Sequence, residues 1–143
     1  MTILLDARTS QNASLSNSIS APILVGTPQL FGQIGLITTE ATSPIRVQLS
    51  GIITAQLPLL PLLTSITVTI VRGTQPTDPV VFSSTSNLDL EIIGPQAFTF
   101  IGSEINVPPP ASGQLTYSAF ISASLVGTVR VGPESFNGIA FSD

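Results

Sequence analysis

Residues 47–71 read VQLSGIITAQLPLLPLLTSITVTIV and contain no ionisable side chain. The segment is long enough to cross a bilayer as a helix, for which about 20 apolar residues suffice. Polar residues recur at alternate positions on both sides of the central LPLLPLL, however, and Pro58 and Pro61 would interrupt a helix. A period of two is typical of a β-strand. The segment therefore predicts two strands joined by a proline-containing connection, and not a membrane span.

The same alternation extends outward along most of the chain. In the clearest strand, residues 115–125, the odd positions are apolar and face one way, while Ser and Thr mostly face the other. No window shows a helical period over the length that a helix requires. Turns with Gly or Pro separate the other expected strands, which lie in residues 45–57, 66–70, 80–84, 88–92, 98–107 and 136–141, with one or two more in 24–38.

About eight to ten short strands with Gly/Pro turns predict an all-β fold, an antiparallel jelly-roll sandwich. An immunoglobulin-like sandwich is the structural alternative, but its Cys…Trp…Cys pattern is absent from this sequence. The chain of 143 residues suits one domain. Residues 1–20 differ in composition, so the sequence divides into an N-terminal arm, 1–20, and a jelly-roll domain, 21–143.

Charged residues make up only 8% of the chain, and the net charge is −4. Because phosphate binding needs clustered cations, and the four Arg residues are far apart in sequence, we expect no nucleic-acid partner. A surface with so few charges favours association between subunits. No basic segment followed by an apolar run opens the chain, so we expect no secretory signal peptide.

Catalytic chemistry is poorly supported. The sequence has no His, Lys or Cys to activate a nucleophile or bind a soft metal, and we expect no enzyme activity, cofactor or metal site. Asp89 and Glu91 are the exception, because a spacing of two places both carboxylates on one strand face, as in a hydrolase or a cation site. Two acids on a solvent face are more often solubilising. Asn12-Ala13-Ser14 also fits the short glycosylation sequon.

Apolar residues at unexpected positions indicate subunit contacts. Phe120 is the one large apolar residue on the polar face of its strand, and we expect it to contact a neighbouring subunit. The leucines of the proline connection should pack either on the core or, preferably, on another subunit: Leu59, Leu60, Leu62 and Leu63. The N-terminal run MTILL, followed by a Ser/Asn-rich stretch, suits either a strand that joins a neighbouring sheet or a disordered terminus.

The order of motifs resembles a C1q/TNF-type jelly roll. It consists of APILVGTP at residues 21–28, paired Thr/Ile/Val strands, the Tyr117 strand and GP…FNGIAF at residues 132–141. The Lys-free, Thr/Ser/Leu-rich composition is similar to that of bacterial spore-surface proteins. These are the C-terminal domain of the collagen-like exosporium glycoproteins (BclA) and the F-type endospore appendage (Ena) subunits. Two departures are the absence of a Gly-X-Y repeat and of N-terminal cysteines.

The resemblance implies a homotrimer that stacks into a self-assembling fibre on the endospore surface, outside the cell without a signal peptide. Residues 1–20 would then connect successive layers, with Ile3, Leu4 and Leu5 as the docking residues. The implied partners are further copies of the chain and anchor or tip proteins of the spore surface. The alternative is a receptor-binding or carbohydrate-binding jelly-roll module of a phage or cell-surface fibre, although lectin sites usually present exposed aromatic faces.

Overall fold

The two strands on either side of the proline connection are the centre of the fold. The computed structural model describes residues 1–143, and the strands are β4 (Ile45–Gln56) and β5 (Ser65–Arg72). The apolar parity of β4 faces inward: Ile45, Val47, Leu49, Ile53 and Ala55 are at most 1% exposed. Residues 57–64 connect the two strands outside regular structure. No helix is long and apolar enough to cross a membrane.

The chain contains ten strands. In addition to β4 and β5, they are β1 (Ile3–Ala13), β2 (Ala21–Pro22), β3 (Gln29–Ile37), β6 (Val80–Asn87), β7 (Pro95–Val107), β8 (Gln114–Ala123), β9 (Val129–Arg130) and β10 (Glu134–Ser142). All pairings between these strands are antiparallel. The expected all-β class and the number of strands are therefore confirmed.

The strands form two sheets whose order is that of a jelly roll. Sheet I runs β1-β10-β4-β7, and the short β9 extends it by pairing with β4 and with β2. Sheet II runs β3-β8-β5-β6. Strands that are distant in sequence thus lie side by side, which places the connections β4–β5, β6–β7 and β8–β9 at one end of the sandwich.

The core lies between the two sheets and is one cluster of 23 buried residues. Phe100 is its aromatic centre, with Phe31 in an edge-to-face contact at 6.0 Å between ring centroids and Phe136 at 6.3 Å. Tyr117, Ala119 and Ile121 of β8 also belong to this cluster, as their alternation predicted. The side chains that alternate into this space hold the two sheets together.

The prediction of a strand at residues 88–92 is wrong. Leu88 is buried, but the four residues that follow form a turn. The carboxylate of Asp89 accepts a hydrogen bond from the backbone N–H of Glu91 at 2.9 Å, and the Gln96 side chain bonds both backbone groups of Asp89. These local bonds compete with strand pairing. Asp89 and Glu91 consequently do not present paired carboxylates on a strand face.

The segment expected as a connector arm begins with a strand of the sandwich. β1 pairs along its whole length with β10 at the edge of sheet I, from Ile3 opposite Ser142 to Ala13 opposite Glu134. Residues 14–20 lie outside the strands. In the single chain, residues 3–13 are therefore part of sheet I. A connecting role of the segment in an assembly remains a prediction.

Candidate assembly surfaces

Exposed apolar side chains are concentrated at one end of the sandwich. Gln56 of β4 lies opposite Pro95 of β7, and Ser65 of β5 lies opposite Asn87 of β6, so the connections beyond these residues share that end. We call it the apolar end. Its exposed large side chains belong to four connections, because the β2–β3 connection bonds the β8–β9 connection there, and are Leu24, Val25, Leu59, Leu60, Leu62, Leu63, Leu90, Ile92, Ile93, Leu125 and Val126.

The proline connection is held in place by contacts at its two ends. Leu57 is buried in the core, and Thr64, 2% exposed, donates its hydroxyl to the carbonyl of Leu62 at 2.8 Å. The backbone N–H of Leu88 in turn donates to the Thr64 carbonyl at 2.9 Å. The loop is thus tied to the neighbouring β6–β7 connection. Between them lies a cavity of about 290 Å³, lined by residues that include Leu57, Leu59, Leu90 and Ile93.

The four leucines predicted to form a subunit contact are free in the single chain. The side chains are 98% (Leu59), 91% (Leu60), 70% (Leu62) and 66% (Leu63) exposed. Packing on the chain's own core, the alternative that the sequence left open, therefore does not occur. Proline favours this arrangement, because Pro58 and Pro61 prevent the loop from continuing as a helix or a central strand.

Phe120 is placed differently from the expected outward contact. Its side chain is only 4% exposed in the single chain, although it is not a member of the core cluster. Its cross-strand neighbours are Leu30 of β3 and Thr69 of β5, which lie on the same face of sheet II. Since the chain itself already covers the ring, Phe120 offers little free surface to a neighbouring subunit.

The arm residues lie at the end opposite the apolar end. Ile3 and Leu4 are 42% and 59% exposed, whereas Leu5 packs against the core cluster. The carboxylate of Asp6 accepts a hydrogen bond from the backbone N–H of Ile37 at 2.8 Å and pairs with Arg8. Chiefly because of the Ile37 bond, the pKa of Asp6 is lowered from its ordinary value. This bond joins the edge of sheet I to the edge of sheet II.

A buried ion pair lies at the other end of β1. Arg130 of β9 and Glu134 of β10 have side chains that are 6% and 0% exposed, and Arg130 Nε lies 2.9 Å from Glu134 Oε2. Asn12 donates its amide to the same carboxylate at 2.5 Å. The Asn12 side chain, considered above as a glycosylation site, is therefore already engaged. The sequence does not predict this cluster, because no pattern in it indicates that Asn12 and Glu134 are close in the fold.

A second polar bridge links the two sheets. The Tyr117 hydroxyl donates to Glu104 Oε2 at 2.6 Å, and Arg72 pairs with Glu104 Oε1 at 3.2 Å. Burial, together with this bond to the carboxylate, raises the pKa of Tyr117 above its ordinary value. The bridge stabilises the core and leaves none of its groups free for chemistry. No group of three or more His, Cys, Asp or Glu side chains is arranged to hold a metal ion.

A shallow groove crosses the outer face of sheet I. It encloses about 260 Å³ and is lined mainly by uncharged polar side chains with two isoleucines, among them Gln48, Ser50, Ile101, Asn137 and Ile139. Such a surface can offer hydrogen bonds and apolar contacts to a ligand or to a neighbouring sheet.

Comparisons with known proteins show a shared fold and no family. No protein-family model and no curated protein sequence matches this sequence. Dimeric latent PorU from Porphyromonas gingivalis is similar in structure, with a TM-score of 0.54 and 9% identity over 96% of this chain and 13% of PorU. The chain therefore spans a small part of the length of PorU.

Two further structures have lower scores. The D431N mutant of the VP2 protein of infectious bursal disease virus has a TM-score of 0.47 and 13% identity over 96% of this chain and 36% of VP2. Eiger TNF from S. frugiperda has a TM-score of 0.44 and 9% identity over 94% of this chain and 91% of its own.

Proposed function

We propose that this protein is a structural subunit that self-assembles through its apolar end. The observation that carries the proposal is the concentration of exposed Leu, Ile and Val side chains on four connections at one end of the sandwich. Large contiguous apolar patches on a protein surface mark interaction sites. Burying one exposed leucine side chain stabilises an assembly by about 1.5–3 kcal/mol, so several of them together drive association. The low charge of the chain opposes association little.

The positions of the arm and the apolar end favour growth in one direction. Ile3 and Leu4 lie at one end of sheet I, and Leu59 and Leu60 lie beyond the other end. These ends are separated by the length of β4, about 40 Å for a strand of twelve residues. A contact between two different ends of the same molecule is heterologous and can repeat without closing. This geometry supports a fibre.

The finer proposal is a fibre of stacked homotrimers on the bacterial endospore surface. It is supported by the resemblance to the spore-surface jelly rolls, and its partners would be further copies of the chain with anchor or tip proteins of the spore. Asp89 and Glu91, the acids considered for a hydrolase, lie in a turn in which Asp89 bonds the Glu91 backbone. This arrangement supports a subunit without catalytic activity.

Electron microscopy of the purified chain tests this function. We expect negatively stained fibres whose cross-section is threefold, and a size distribution that shifts to larger species as protein concentration rises. A chain that stays monomeric at high concentration would overturn self-assembly. Discrete particles without fibres would overturn stacking and leave a closed oligomer.

A second candidate is a carbohydrate-binding or receptor-binding module. The observation in its favour is the groove on sheet I, whose Gln48, Ser50 and Asn137 side chains offer hydrogen bonds to sugar hydroxyls. Against it, the only Tyr is fully buried and there is no Trp, so no exposed Tyr or Trp ring is available for a sugar to stack on. Specific binding on a glycan array that is lost in Asn137→Ala would favour this candidate.

A further inference from the structure

The N-terminal strand occupies a slot at the edge of the sandwich. One side of β1 pairs with β10, and the other side lies beside β3, the edge strand of sheet II. Two side chains of β1 reach β3: Asp6 accepts the N–H of Ile37, and the Ser10 hydroxyl accepts the N–H of Gln33 at 3.3 Å. The slot therefore recognises the β1 sequence by specific polar contacts as well as by main-chain pairing.

Burial of apolar side chains contributes little to the attachment of β1 to the sandwich. Of its eleven residues, only Ala13 is buried, and Leu5 is the one side chain that packs against the core cluster. The remaining attachment consists of the backbone ladder to β10 and the polar contacts of Asp6, Ser10 and Asn12. A strand held mainly by hydrogen bonds can leave and be replaced by an identical strand with no net loss of contacts.

A hinge follows directly after β1. Residues 14–20 lie outside the strands, and their sequence is SLSNSIS. Its attachments are few: Ser18 bonds the carbonyl of Leu15 within the segment, and the backbone N–H of Ile19 bonds Val131 at 3.3 Å. When extended, seven residues reach at most about 23 Å. This length, with few attachments along it, lets β1 separate from its own sandwich while the rest of the chain stays folded.

We propose that β1 is exchanged between copies of the chain in the assembly, so that β1 of one subunit lies beside β10 of its neighbour in the register described above. The proposal rests on the self-assembly proposed above and specifies how the N-terminal segment takes part. It accounts for a segment that is a sheet strand in the single chain and a connector in the fibre. Exchange of an identical element is a low-cost route to oligomers.

A second copy of this chain is the occupant that fits the vacated slot. Departure of β1 would leave the edge of β10 and the N–H groups of Ile37 and Gln33 without their protein partners, and would leave Glu134 bonded to Arg130 but not to Asn12. Each of these groups is matched by one position of β1. Another copy's β1 restores every one of these contacts, whereas an unrelated peptide restores only the backbone ladder.

Disulfide trapping tests the exchange, because the chain has no cysteine of its own. Thr9 and Asn137 are directly opposite on β1 and β10, at a separation that suits a disulfide. The matched control is Thr67 opposite Thr85 on β5 and β6, whose hydroxyls lie 2.9 Å apart and whose strands are not exchanged. The two variants are Thr9→Cys/Asn137→Cys and Thr67→Cys/Thr85→Cys.

Both variants are assembled under reducing conditions, oxidised, and compared on a denaturing gel without reductant. We expect covalent chains of two or more subunits from the β1–β10 pair and single chains from the control. Oxidation of dilute, unassembled β1–β10 variant should instead lock β1 within its own chain and block assembly until reductant is added. Single chains from the assembled variant, or assembly of the locked form, would overturn the exchange while leaving self-assembly intact. A wild type that never assembles would overturn both.

Discussion

Arg130 and Glu134 form a bidentate ion pair inside the protein, with Arg130 Nε 2.9 Å from Glu134 Oε2 and both side chains almost completely buried. The pair joins β9 to β10, and Asn12 attaches the end of β1 to the same carboxylate. A carboxylate removed from water in this way depends on its partners, since charges in the interior are costly unless they are paired and hydrogen-bonded.

Removal of one partner of this pair should be strongly destabilising. We predict that Glu134→Ala lowers the free energy of unfolding by about 3–5 kcal/mol, because Arg130 is then a buried charge without its counterion. Urea unfolding followed by circular dichroism measures the change. Replacing both residues, Arg130→Met with Glu134→Leu, should recover most of the loss. A Glu134→Ala variant as stable as the wild type would show that the pair does not hold β9 against β10.

Acid should weaken the attachment of β1. The pKa of Asp6 is lowered by the Ile37 N–H, with smaller contributions from Arg8 and the Ala7 N–H. A carboxyl whose pKa is lowered by folding contributes stability that is complete above its unfolded pKa and is lost as pH falls through the folded pKa. The unfolded value is 3.8. We therefore predict faster hydrogen exchange of the Ile37 amide, relative to its intrinsic rate, as the pH falls below about 4.

Asp6→Asn is the control for this pH dependence. In that variant the Ile37 amide should exchange faster near neutral pH and show little further change on acidification. Asp143 also has a lowered pKa, caused mainly by the hydrogen bond from Thr2, so Asp143→Asn should be measured beside it. Protection of Ile37 that is equal in wild type and Asp6→Asn at all pH values would contradict the role given to Asp6.

Gly51 is predicted to tolerate no side chain. A Cβ at this position in β4 would collide with Phe100 Cζ and with the backbone carbonyl oxygen of Ser135, and the latter belongs to the sheet and cannot move freely. We predict that Gly51→Ala lowers the free energy of unfolding by about 1–3 kcal/mol, as overpacking does. Gly102→Ala is the matched comparison, because the three atoms nearest to its Cβ would all belong to the Phe82 side chain, the closest at 2.8 Å.

Gly102→Ala should therefore lower the free energy of unfolding by less than Gly51→Ala does in the same denaturation experiment. Equal losses in the two variants would show that the backbone of β10 accommodates a Cβ at Gly51.

Alternation predicted the strands whose two faces differ most. β4 and β5 lie between other strands and bury mainly one parity, so their sequences carry the period directly, whereas β8 alternates in sequence although Ser118 and Phe120 are buried as well. Residues 88–92 also alternate, but the turn bonds of Asp89 decide their conformation. β1 continues into the Ser/Asn-rich stretch that follows the MTILL run, although that stretch has no strand-like alternation, because its pairing with β10 uses backbone groups.

The candidate site was predictable in part. The leucines of the proline connection could be recognised from their apolar, charge-free context, and the structure leaves them exposed. The proximity of these leucines to Leu90, Ile92 and Ile93 could not be predicted, because it depends on which connections share one end of the jelly roll. The burial of Phe120 in the single chain could not be predicted for a related reason: its neighbours, Leu30 and Thr69, come from strands whose order the sequence does not give.

Sedimentation velocity of the wild type beside Leu60→Glu/Leu63→Glu tests the central claim most directly. Both leucines are exposed, so the substitutions should leave the folded chain intact while placing two charges on the apolar end. Val80→Glu is the matched control, since Val80 is 58% exposed and lies opposite Val71, at the end of β5 and β6 remote from the apolar end. We predict large, concentration-dependent species for the wild type and Val80→Glu, and single folded chains for the double variant. Assembly of the double variant to the same extent as the wild type would contradict the claim that subunits associate through this end.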